Sequence, residues 1–112
     1  MKGELTEPSE IRERTFQFAL RVIRLCQSLD SQPGVNATLA RQLLRSATSV
    51  GANLEEAQAS QSRADFIHKT SIACKEARET HYWLRLLNAA DIVPATRISA
   101  LIDESYQLTA IL

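Results

Sequence analysis

Glycine and proline are scarce, three of each in 112 residues, which is too little turn-forming material for the many tight reversals of an all-β domain. Net charge of either sign is also missing. The 13 basic and 13 acidic residues cancel, so the chain lacks the basic excess usual in proteins that live on phosphate backbones, although a local basic patch remains open. No apolar run approaches the ~18–20 residues needed to span a bilayer, so no membrane partner is expected. The leading residues Met1-Lys2-Gly3-Glu4-Leu5 are polar and acidic, unlike a secretory signal, and the expectation is a cytoplasmic protein. Only two cysteines are present, Cys26 and Cys74. They lack metal-type spacing and read as small buried apolar residues rather than as a disulfide or ligands.

Hydrophobic residues make up 45% of the chain, an ordinary globular share that supports one domain with one core. Breakers cut it into four pieces, with helices expected over roughly 9–31, 36–60, 62–90 and 94–112. Pro8-Ser9-Glu10 opens the first and Ser31-Gln32-Pro33-Gly34 closes it. Asn36 offers an N-cap to the second, and Ser62-Arg63-Ala64-Asp65 resembles a capping box for the third. Asp91-Ile92-Val93-Pro94 ends the third helix, and Pro94 is expected early in the fourth.

Each piece carries an apolar stripe at alternating spacings of three and four. The stripes are Ile11, Thr15, Phe18, Val22, Leu25 and Leu29; then Leu39, Leu43, Ala47, Val50, Leu54 and Ala57. The third runs through Phe66, Thr70, Ala73, Ala77, Thr80, Leu84 and Leu87, and the fourth through Ile98, Leu101, Ser105, Leu108 and Leu112. Short connections make consecutive helices antiparallel. The expected fold is all-α, an antiparallel up-and-down four-helix bundle.

Apolar residues exceed what one core needs. Phe16, Leu20 and Ile23 fall away from the first stripe, and Ile72, Trp83 and Leu86 project among charges on the third helix. A helix with so much apolar circumference usually buries a second face, so these six residues are expected to form a contact between copies of the chain. The second helix carries a small-residue run, Ser46-Ala47-Thr48-Ser49 with Gly51 and Ala52. Gly51 in mid-helix costs roughly 1 kcal/mol relative to Ala, which implies a close approach by a neighbour. Along one side of the same helix lie Arg45, Ser49, Asn53 and Glu56, read as a polar seam between helices or subunits.

Catalytic and metal chemistry finds little support. Di-iron bundles repeat Glu-x-x-His on facing helices. Here Glu79 precedes His81 by two, and Asp65 precedes His68 by three without a second copy. Cys74 and His81 share a face but sit two turns apart, about 10 Å along the axis. The serines lack a nucleophile elbow, and the isolated glycines form no phosphate loop. No cofactor, metal or enzymatic activity is expected. A nucleic-acid surface is harder to dismiss: Arg14, Arg21, Arg24, Arg41 and Arg45 lie on the first two helices, offset only by Asp30 between residues 14 and 51. In a symmetric oligomer such a patch becomes a ring.

The stretch Arg45-Ser-Ala-Thr-Ser-Val-Gly-Ala-Asn53-Leu-Glu-Glu56-Ala, followed by Ser62-Arg-Ala-Asp-Phe-Ile-His-Lys69, Lys75-Glu76-Ala-Arg-Glu79 and Tyr82-Trp83-Leu84, resembles a bacterial four-helix-bundle family. That family is associated with intervening sequences in large-subunit ribosomal RNA genes, and its members have been called ribosomal-like. The resemblance covers nearly the whole chain. It implies a homopentamer around a central axis, and a relative, the accessory variability protein of diversity-generating retroelements, is a basic pentamer that binds nucleic acid and a reverse transcriptase. Motif positions map to Arg45, Ser49, Asn53 and Glu56 on the second helix and to Lys75, Glu76, Glu79 and Trp83 on the third. The resulting expectation is a non-catalytic homo-oligomeric scaffold or adaptor. The alternative is an RNA- or DNA-binding accessory module using the arginines of the first two helices.

Overall fold

A computed structural model describes residues 8–29 and 34–112. Within them the chain forms four helices, α1 (Pro8–Leu29), α2 (Val35–Gln58), α3 (Arg63–Ala89) and α4 (Ala95–Ile111). Met1–Leu5, Asp30 and the Ser31-Gln32-Pro33 breaker lie outside the described residues. Contacts across each successive pair run in opposite senses along the two chains. Between α1 and α2, Arg12 pairs with Glu55 and Cys26 Sγ reaches the Ala40 carbonyl. Between α2 and α3, Arg45 meets Glu76 while Glu56 meets Lys69. Between α3 and α4, Cys74 lies near the Thr109 carbonyl and His81 near Ser105. The fold is an antiparallel up-and-down four-helix bundle.

The 3-4 stripes form the core because each presents one face of its helix inward. Phe18, Val22, Leu43, Ala47, Val50, Leu84, Leu87, Ile98 and Leu108 are all fully or almost fully buried. Phe66 departs from the expectation, since it is 44% exposed. It stands in the first turns of α3, where the ring lines an opening at the bundle end instead of filling the centre. Leu39 is likewise half-buried.

Helix ends follow local chemistry. The N-cap of α2 is Gly34, not Asn36. Gly34 adopts φ 76°, a left-handed conformation open to glycine. Its carbonyl accepts from the Thr38 amide at 3.1 Å and the Thr38 hydroxyl at 3.2 Å. Ser62 caps α3 by accepting from the Asp65 amide at 3.0 Å. Asp91 closes α3 at φ 59°: its amide bonds the Asn88 carbonyl and the Ile92 amide bonds the Leu87 carbonyl, the paired bonds of a Schellman ending. That turn folds Val93 into the core at 1% exposure. Pro94 then serves as the N-cap of α4 rather than its first residue.

Candidate assembly and ligand surfaces

Charged and polar side chains divide into interhelical links and outward faces. The α2–α3 junction holds most of the links. Arg45 bridges Glu76 at 3.2 Å and also contacts Glu79, whose carboxylate accepts from the Trp83 indole N–H at 3.0 Å. Deeper in the junction, Thr80 Oγ1 lies 2.9 Å from Ser46 Oγ, both fully buried, and Thr80 donates to the Glu76 carbonyl. Small side chains are needed there because the two backbones approach closely. Asn53 donates to the Ser49 carbonyl and hydroxyl within α2, so these two stiffen one helix rather than bridge two. Glu56 binds Lys69 at 2.8 Å, and this hydrogen bond raises the Lys69 pKa. Lys75 stands apart from the seam: it is exposed and makes no ion pair with a described residue.

α1 and α4 touch least of the neighbouring pairs, and one fork closes them. Arg14 Nε and Nη2 donate to the two carboxylate oxygens of Glu104 at 2.9 and 2.8 Å, and Nη2 also reaches Gln107. The Glu104 bond holds the guanidinium even more firmly charged than usual. The five arginines grouped by sequence thus separate. Arg14 and Arg45 are engaged with carboxylates, Arg41 contacts the Thr38 hydroxyl at 3.4 Å, and Arg21 and Arg24 point outward from α1.

Part of the exposed apolar surface lies on the α1–α2 face. Ile23, Cys26, Ala40, Arg41 and Leu44 line a shared open groove of about 510 Å³. Phe16 on the same outer arc of α1 is 57% exposed, and Leu20 is half-buried. Leu44, which lies off the apolar stripe of α2, joins Ile23 only through the pairing of the two helices. On α3, Ile72, Trp83 and Leu86 are each half-buried, and Trp83 packs one edge against the core.

His81 Nδ1 lies 3.0 Å from Ser105 Oγ. The single Ser105 proton goes to the Ile102 carbonyl at 2.8 Å, so the serine accepts from an Nδ1–H tautomer. Ser105 is fully buried, and the pair links α3 to α4 rather than presenting a nucleophile. Among the described residues no three His, Cys, Asp or Glu side chains cluster as metal ligands, and no helix is long and apolar enough to cross a membrane.

The family model described as 23S rRNA-intervening sequence protein matches residues 7–112. The chain belongs to that family. A crystal structure of a family relative from Bacteroides thetaiotaomicron, a protein of unknown function from the S23 ribosomal protein family, superposes with a TM-score of 0.84 at 36% identity. The match covers 93% of this chain and 92% of that one. No curated protein matches. The Ser49-Val50-Gly51-Ala52-Asn53 block that carries the family resemblance lies on α2 in the middle of the bundle. There Gly51 faces Thr15 of α1, and a Cβ at Gly51 would meet Thr15 Oγ1 at 3.4 Å.

Proposed function

We propose that the chain is a non-catalytic, cytoplasmic, homo-oligomeric scaffold or adaptor, with five copies around an axis as the assembly that the resemblance implies. The observation that carries this reading is the α1–α2 face. Phe16 is more exposed than buried, and it stands on one outward arc with Leu20, Ile23 and Leu44. Contiguous apolar surface of this kind, flanked by Arg24 and Arg41, marks a protein contact. A second apolar arc on α3, through Ile72, Trp83 and Leu86, lies on a different side of α2. Two unlike faces suit a head-to-tail contact, which closes into a ring when the rotation between subunits allows it.

Sedimentation velocity on the double variant Phe16→Asp, Leu44→Asp tests the face. Both side chains are exposed, so the helical signal should persist while the assembly falls to single chains. An unchanged sedimentation coefficient with native helicity would show that this face is not the contact.

A further inference from the structure

α3 carries five basic and three acidic residues, and in its second half the two signs lie on different faces. Glu76 and Glu79 turn toward α2 and bind Arg45. Lys75, Arg78 and Arg85 are all exposed, and none forms an ion pair with a described residue. Spacings of three and seven residues place them on one outward arc, about 15 Å long. Tyr82 stands within that arc, 51% exposed, its ring set edge-on against Trp83 with centroids 5.3 Å apart. A second tyrosine joins from α4. Tyr106, 64% exposed, lies with its ring centroid 5.8 Å from that of His81, and His81 is one helical turn from both Arg78 and Arg85.

We infer that this α3–α4 face is a binding surface for a single strand of RNA or DNA. Three unpaired cations at intervals of one and two turns can follow successive phosphates. Two exposed tyrosine rings held by neighbouring aromatic side chains offer platforms on which unpaired bases stack. The local basic surface is what matters here, since the chain as a whole is neutral. An acidic protein segment would satisfy the cations but has no use for two exposed tyrosine faces, each resting against a neighbouring ring. The surface differs from the α1–α2 arginine patch, where Arg14 and Arg45 are already bound to carboxylates. It borders the α3 apolar arc of the assembly reading, since Tyr82 rests on Trp83, but Lys75, Arg78, Arg85 and Tyr106 are not part of that arc, and the Phe16 and Leu44 variants that test assembly leave all of them in place.

The test is fluorescence anisotropy of labelled oligouridine and oligothymidine at low salt, with the sole tryptophan, Trp83, as an internal reporter beside Tyr82. Binding is expected to weaken with salt. Removing one of Lys75, Arg78 or Arg85 as alanine should lower the slope of log affinity against log salt by roughly 0.7. Tyr82→Ala and Tyr106→Ala should each lower affinity about 5- to 100-fold. A blunt-ended duplex of the same length should bind more weakly. All five positions are exposed, so circular dichroism should show unchanged helicity. Absence of oligonucleotide binding by the native chain would overturn the inference. So would loss of binding in Arg21→Ala with Arg24→Ala but not in the α3 variants. Displacement by polyglutamate with indifference to both tyrosine changes would instead make the face a site for acidic protein segments and equally overturn it.

Discussion

Gly51 and Asp91 each hold a backbone position that another residue would fill differently. Gly51 is in mid-helix with ordinary helical geometry, and the space beside it admits a methyl group at normal contact distance from Thr15. Gly51→Ala should therefore raise stability by up to about 1 kcal/mol through helix propensity. Urea unfolding measures this, and a clear loss would mean that something beyond Thr15 presses on that position, as a subunit contact would. Asp91 is the converse case. At φ 59° a side chain is unfavourable, and Asp91→Gly should stabilise by about 1 kcal/mol. A lower unfolding midpoint would show that the carboxylate does something the backbone does not reveal. At this scale the sequence was informative where the signal is local. Ser62 was readable as a cap, whereas Gly34 displaced Asn36 because the backbone conformation, not the side-chain oxygen, decides the α2 start.

Among the elements, the α1–α4 edge is the thinnest join of the bundle, and the Arg14–Glu104 fork holds it. Arg14→Met should cost about 1 kcal/mol, modest because both groups are partly solvated. It should also speed hydrogen exchange in α4 ahead of the other helices. Lys69→Met is the contrasting change. Lys69 gains a raised pKa from Glu56, so its contribution is complete below the unfolded lysine value and is lost only as pH rises through the folded one. The pair is open to solvent, and removing it should leave the melting temperature unchanged near neutral pH. An Arg14 variant that behaved like the Lys69 variant would show that the fork is not what closes the edge. The helices and most of their buried faces were legible because a period of 3.6 is written in consecutive residues. The ion pairs were not, because Arg14 and Glu104 are separated by 90 positions and meet only once the rotation of each helix is fixed. Phe66 misled for a related reason: its spacing continues the α3 stripe, but at that end of the bundle the ring lines an opening bordered by Ile11, Leu54 and Leu112.

For the molecule as a whole, neutrality conceals segregation. Glu76, Glu79 and Glu104 are drawn into links between helices, while Lys75, Arg78 and Arg85 remain outward, so a count along the chain understates the charge of one face. The α1 apolar surplus was readable from sequence, yet Leu44 entered it only through helix pairing, and Trp83 proved to be partly core. These outward surfaces are what a scaffold would use, and assembly is the claim on which that reading stands. The most direct measurement is solution mass by light scattering on a sizing column, at low and at high salt. Five copies joined by apolar faces give a mass near five chains at both salts, because an apolar contact is not weakened by screening. A single-chain mass at every concentration would contradict that assembly.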